Sequence, residues 1–273
     1  MFKTTVEGLV THLQEDMKVA KNSIVWLHSG LLGLGVVEGG VDTITKAFSI
    51  VLPEGALVVP SFTYSWCNNS IYGASSTECP DMGGYAKEAW KDKRFARNHN
   101  PNFSVSVMDQ TPDQRVKKAL FLDDTRRTCF GSGSVFDQMY NLSKKMPGRI
   151  VLLGGAHNDV VFRSTFVHFI EEKVGVPYRY HKVFEDPLNS GESVDQLVRF
   201  MSKSDCEKVN KEGCDDYSFP VKEKYRKLGD DLVGSGLFVC SSFGYSLTRS
   251  VPMLEFCNWL EGKIKQDPKY LLK

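Results

Sequence analysis

Three short apolar runs constrain this chain most: Ser23–Leu27, Ala56–Val59 and Arg149–Gly155. Each is rich in Val, Ile and Leu, and they give way to His28-Ser29, to Pro60 and to Gly154-Gly155 respectively. Runs of this length without polar alternation read as strands covered on both faces. Stretches of helical period stand between and after them. Val6, Leu9, Val10, Leu13 and Met17 define one over Val6–Lys18, a second opens at about Gly40 and runs to Val51, and a third covers Thr165–Val174. Alternating strand and helix put the chain in the α/β class, and no composition shift, repeat or linker divides residues 1–273, so one domain is expected.

The third helix carries the chemistry. Ser164 or Thr165 can cap it, Phe166, Val167, Ile170 and Val174 repeat at helical spacing, and Gly175 with Pro177 supplies the stop. His168 and Glu171 are three residues apart and therefore share a face. An imidazole is the side chain most easily set to accept a proton near neutral pH, and a neighbouring carboxylate stabilises the imidazolium that forms. The plainer alternative is a half-buried histidine on an amphipathic helix with both Glu171 and Glu172 solvated. Position favours function: the helix follows a buried strand and the polar turn His157-Asn158-Asp159, and open α/β sheets keep their chemistry beyond the carboxyl ends of strands.

Strand, glycine turn and Thr165-Phe-Val-His168-Phe-Ile-Glu171 together resemble the Thr-x-x-His-x-x-Glu signature of the aminoglycoside 3-N-acetyltransferase family. Three further blocks occur in family order: His28-Ser29 with the glycines through Gly40, Gly55-Ala-Leu-Val-Val-Pro-Ser-Phe-Thr63, and Arg97–Ser104 with Gly131–Phe136. The resemblance covers about Ile24 to Lys182. It implies a central mixed β-sheet flanked by helices, with a cofactor loop after an early strand, and direct acetyl transfer from acetyl-CoA to an amine. His168 would then be the base, Glu171 its support and Thr63 a hydrogen-bonding residue near the thioester. It assigns His28, Ser29, Gly30, Leu31, Leu32, Gly33, Ser104 and Ser106 to the cofactor. Where antibiotic-modifying relatives commonly have His, this chain has Asn100. The wording of the His168 block and of Tyr178-Arg179-Tyr180 looks closer to relatives associated with bacterial surface polysaccharide, which implies an amino-sugar acceptor, nucleotide-linked. An antibiotic acceptor and a non-catalytic CoA-binding or sugar-nucleotide-binding role are the alternatives.

Other residues fill in the site. Tyr64 belongs to a hydroxyl-rich and aromatic segment just past a strand, Asp159 lies in the turn before the helix, and Tyr178 with Arg179 can stack a ring and bind phosphate; these are the expected substrate contacts. A strand feeding glycines and then a helix amino terminus suits an anion, although Gly30, Gly33 and Gly35 could equally serve a tight turn. A dinucleotide fingerprint is excluded, because the frame starting at Gly33 ends on Glu38. Ser134 reads as a helix cap with Asp137 three residues on, and no nucleophile elbow fits.

Charge narrows the partners. With 34 Lys and Arg against 33 Asp and Glu the chain has no basic footprint for nucleic acid, and it lacks the strongly acidic field that suits a polycation. Seven scattered cysteines give neither a zinc spacing nor a disulfide framework, so reduced thiols and no metal are expected. A metal hydrolase built on His157, Asp159, His168 and Glu171, or a Cys-His nucleophile, are lesser alternatives. No signal peptide or membrane span is read, giving a cytoplasmic expectation with no membrane partner, and a homodimer is left open. The rest reads as a long surface excursion over Cys67–Arg97, helices over Glu192–Ser202 and Asp216–Leu228, a last strand over Ser235–Val239 and a closing helix over Pro252–Lys265.

Overall fold

The computed structural model describes residues 1–68, 72–73, 77–79, 82–154, 160–185, 193–209 and 213–273. Its strands are β1 (Lys3–Thr4), β2 (Ile24–Gly30), β3 (Val36–Val37), β4 (Ala56–Pro60), β5 (Ala96–Arg97), β6 (Val105–Asp109), β7 (Gly148–Gly154), β8 (Arg179–Glu185), β9 (Ser193–Arg199), β10 (Val239–Phe243) and β11 (Ser246–Pro252). Seven of them form the central sheet in the order β10-β11-β7-β2-β4-β6-β5. The three apolar runs of the sequence are its parallel centre, β7-β2-β4, and antiparallel strands complete both edges.

Parallel strands in mid-sheet need cover on both faces. Side chains alternate across a strand, so each run divides its residues between two cores. Val25, Leu27, Leu57, Val59, Val151 and Leu153 pack with Leu9, Leu13, Ile44, Phe48 and Val51 of the amino-terminal helices. Ile24, Trp26, Val58, Ile150 and Leu152 face the opposite way, onto helices Val135–Leu142, Phe166–Val174 and Met253–Gln266. At roughly 1.5–3 kcal/mol for each fully buried large aliphatic or Phe side chain, these two layers dominate the favourable side of folding. His28 follows Trp26 by two residues, so the alternation puts it on the same side of the sheet as helix Phe166–Val174.

Close approach at the carboxyl end of the sheet depends on glycine. Gly154 ends β7 with φ +69°, and a Cβ there would lie 2.3 Å from the Gly30 carbonyl oxygen at the end of β2. No other residue fits that gap.

Several expectations are corrected. The 67–97 excursion contains helix Gly84–Ala89, whose Tyr85, Ala86 and Ala89 are buried; Tyr85 docks on helix Val41–Val51 through a 3.0 Å hydroxyl contact with Thr45. The helix expected over 192–202 is strand β9 from Ser193 onward, with Glu192 outside the described residues. Val194, Leu197 and Val198 have helical spacing, but pairing with β8 along the whole strand overrides it. Pro220 breaks the helix expected over Asp216–Leu228, which instead runs Tyr225–Ser235. Ser235 ends that helix, and the final strands are the hairpin β10-β11, turning at Gly244 with φ +68°. Cys206 and Cys214 form a disulfide, contrary to the all-thiol expectation, because the capped helix Lys203–Lys208 and the turn at Gly213 bring them face to face. Among the described residues no helix is long and apolar enough to cross a membrane.

Candidate active site

A cleft of about 950 Å³ opens beyond the carboxyl ends of β2 and β4, and His28, Tyr64 and His168 all contribute to its wall. The helix bearing His168 spans Phe166–Val174 and closes at Gly175, which takes the left-handed conformation at φ +75°. Thr165 precedes it without a side-chain cap, while Ser164 Oγ accepts the Phe166 N–H at 3.4 Å. One turn of this helix carries the expected pair: Nδ1 of His168 lies 2.8 Å from Oε2 of Glu171. The Glu171 side chain is completely buried, whereas the His168 ring keeps 20% of its surface open to the cleft.

A buried carboxylate must be paired or hydrogen-bonded. Oε1 of Glu171 accepts the Tyr178 hydroxyl at 2.8 Å, and Arg179 Nε stands 2.8 Å from Oε2. The same guanidinium donates through Nη2 to Glu223, which anchors its far side. Burial and the adjacent Glu171 carboxylate push the Tyr178 hydroxyl far up, so it acts as a permanent donor. Burial by itself would raise Glu223, but Arg179 and His168 outweigh it and hold the carboxyl below its ordinary value. With Glu171 taking Nδ1–H, the lone pair of His168 sits on Nε2, the ring nitrogen with no protein partner among the described residues. Nδ1 is also 3.0 Å from Arg179 Nη2, where two donors face each other in either protonation state, and the carboxylates of Glu171 and Glu223 compensate the contact by taking one each.

His28 is bound differently. Trp26, fully buried between Phe62, Phe136 and Phe166, donates its indole N–H to His28 Nε2 at 2.8 Å. Burial lowers the imidazole to about 4, so the ring is neutral at physiological pH.

Several assigned residues lie elsewhere than expected. Ser104 and Ser106 are fully buried: Ser104 Oγ donates to Ser61 O at 2.6 Å, and Ser106 Oγ is 2.6 Å from Ser61 Oγ. Both tie β6 to the segment after β4 and do not reach the cleft. Thr63 is buried as well, and its hydroxyl accepts from Arg97 Nη2 at 2.8 Å. Tyr178, expected at the substrate, is wholly buried behind Glu171 and is not part of the cleft wall. Arg179 touches the cleft, but its charge is already committed to two carboxylates. In the expected cofactor loop, His28 lines the cleft, Ser29, Gly30 and Leu31 are half-buried beside it, and Leu32 is exposed. Gly33 is buried, with its carbonyl taking the Tyr245 N–H at 2.7 Å. Asp159 and His157 lie outside the described residues. Asn100 shapes the backbone that follows it, since its side-chain oxygen accepts the N–H groups of Asn102 and Phe103.

Glu223 was not legible as a site residue, because Val221-Lys222-Glu223-Lys224 reads as a solvated charge run. The Trp26-His28 contact had a signal, since residues two apart on a strand share a face. His168, Glu171 and Glu223 also lie close enough together to hold a cation, but the Arg179 guanidinium already neutralises both carboxylates there.

The fold has counterparts among solved structures. Aminoglycoside acetyltransferase AAC(3)-IVa, as the apoenzyme, superposes with a TM-score of 0.72 at 18% identity, over 100% of this chain and 92% of that one. AAC-IIIb bound to CoASH gives 0.68 at 13% identity over 97% of each chain, and YokD from Bacillus subtilis gives 0.69 at 17% identity over 95% and 98%. These likenesses concern the fold. No curated relative matches the chain. The sequence model of aminoglycoside 3-N-acetyltransferases matches residues 26–262. That span is most of the chain, which therefore belongs to the aminoglycoside 3-N-acetyltransferase family and is an acyltransferase using acetyl-CoA.

Proposed function

We propose that the enzyme acetylates the amine of an amino sugar that also carries an anionic group, in the simplest case a nucleotide-linked sugar of the kind that enters surface glycans. The carrying observation is the charge of the cleft wall. Arg163, Lys182, Arg199 and Lys222 line it with no ion pair among the described residues, and its described acid, Glu223, is held by Arg179. An aminoglycoside with several ammonium groups would meet these cations with like charge, whereas a diphosphate would pair with them. Tyr64, which is exposed, adds an aromatic face on which a base can stack, while Tyr180 is already stacked on Phe200 and the Phe184 ring lies under Lys182 Nζ.

Acetyl-CoA and the acceptor bind together, the acetyl end in the cleft and the remainder of the cofactor along Ser29–Leu32. The neutral amine attacks the thioester carbon, His168 Nε2 takes the proton that the nitrogen sheds, and Glu171 stabilises the imidazolium. Collapse expels the CoA thiolate, which His168 reprotonates. Amines are competent nucleophiles, so no acyl-enzyme is needed and positioning supplies much of the rate.

A second reading, acetylation of an aminoglycoside antibiotic, draws on the family name and on an AAC(3)-IVa variant solved with apramycin, 18% identical to this chain. Coenzyme A is itself anionic, so the cations alone do not separate the two. An acceptor panel does, comparing a nucleotide-linked amino sugar, the same sugar unlinked and a deoxystreptamine antibiotic at saturating acetyl-CoA. The nucleotide-linked sugar should have the highest kcat/KM. Efficient antibiotic acetylation with inert sugar nucleotides would reverse the assignment.

A further inference from the structure

The acetyl-transfer chemistry leaves one group in the cleft wall unused. His28 lines the same cleft as His168, yet it cannot serve as a second base, because its Nε2 lone pair is occupied by the Trp26 indole N–H at 2.8 Å. An indole nitrogen only donates, so His28 Nε2 must remain unprotonated and the ring's single proton must sit on Nδ1. The indole is clamped by Phe62 at 6.2 Å, Phe136 at 5.4 Å and Phe166 at 6.0 Å between ring centroids, so it cannot turn away. Adding a proton at Nε2 would set two N–H groups against each other inside a dry layer. The imidazole is thus locked in one neutral tautomer, and its Nδ1–H has no acceptor among the described residues.

We propose that His28 Nδ1–H is the side-chain donor to the acyl carbonyl oxygen of bound acetyl-CoA, holding the negative charge that builds there during transfer. A fixed neutral donor suits this role. It cannot be deprotonated by the amine, cannot compete with His168 for the proton, and needs no reorganisation as charge develops. In the balanced step, the nitrogen lone pair forms the C–N bond and the carbonyl π pair moves to oxygen, where His28 donates. The ammonium proton goes to His168 Nε2, the C–S bond breaks toward sulfur as the carbonyl re-forms, and His168 returns the proton to the thiolate. His28 keeps its own proton throughout.

A donor to an amide carbonyl of the pantetheine arm would act on ground-state binding instead, so kinetics separate the two roles. His28→Ala should lower kcat by about 10²–10³ with KM for acetyl-CoA within about threefold, the range for loss of one oxyanion donor. His28→Asn, whose amide N–H can occupy the place of Nδ1–H, should recover at least about tenfold of that loss. Independently of any acceptor, the carbonyl resonance of acetyl-CoA labelled with 13C at that carbon should lie downfield when bound to wild-type enzyme and return toward the free position in His28→Ala. Unchanged kcat, a loss confined to KM, an Asn variant as slow as the Ala variant with both melting normally, or identical carbonyl shifts would each overturn the proposal. The inference rests on the acetyl-CoA reading of the cleft and not on the acceptor. Failure of every amine as substrate would therefore sink the acceptor assignment while leaving the resonance measurement to decide on His28.

Discussion

Replacing Glu171 with Gln tests how much of the proton transfer depends on a buried carboxylate that no substrate can touch. The amide keeps an oxygen to accept Nδ1–H from His168, so the 2.8 Å geometry survives while the charge is lost. With charge centres about 4 Å apart and an effective dielectric near 20, a carboxylate attracts a full imidazolium by about 4 kcal/mol. The ring is only partly protonated at the transition state, so roughly 3–4 kcal/mol is at stake, or a fall in kcat of about 10²–10³. Arg179 remains 3.0 Å from Nδ1 with less negative charge to offset it, which pushes the effect toward the upper end. Glu223 continues to pair with Arg179, so the variant should stay folded. Initial rates of CoA-thiol release at saturating acceptor give kcat, and a titration of acetyl-CoA gives KM, which should move by less than about threefold. A kcat within about fivefold of wild type in a normally melting variant would mean that the carboxylate does not support the base.

Tyr178→Phe removes the hydroxyl that holds Oε1 of Glu171 at 2.8 Å. Because hydrogen bonds to a buried charge are each worth about 1.5–3 kcal/mol, urea unfolding should show a loss of that order, and kcat should fall by about tenfold, less than in Glu171→Gln. Unaltered stability and rate would show that Arg179 and His168 hold Glu171 without the Tyr178 hydroxyl. Between about pH 6.5 and 4 the unfolded chain takes up a proton at His28 that the folded chain refuses. Stability conferred by the neutral ring is therefore complete above the upper value and is lost as pH falls, by up to about 2 kcal/mol at pH 5. Comparison of wild type with His28→Asn in urea at pH 7 and pH 5 isolates this share, and equal pH dependence in both would refute the locked tautomer.

Much of the site was legible because it follows from local rules. The centre of the sheet was fixed by three unbroken apolar runs, and the His168-Glu171 pair by helical spacing between a hydroxyl cap region and Gly175. What escaped was non-local. Ser104 and Ser106 stand at the expected place in the chain, but their hydroxyls turn inward to Ser61, and Arg97 reaches Thr63 from 34 residues away. Tyr178 and Arg179 read as a mixed aromatic and cationic pair, and only the fold shows that both serve Glu171 from behind. Strand β9 has the spacing of a helix and becomes a strand because β8 supplies its hydrogen-bond partners. Glu223, 52 residues beyond Glu171 in a run of alternating charge, could be found only once Arg179 was seen to bridge them.

The most direct measurement is acetyl transfer by His168→Ala. Equilibrium binding of acetyl-CoA should be nearly unchanged, because the ring contributes a basic nitrogen rather than an essential contact, while turnover of the best acceptor should fall by about 10²–10⁴, the usual share of a positioned proton acceptor. Turnover close to wild type with the substitution verified would contradict the assignment of His168 as the base.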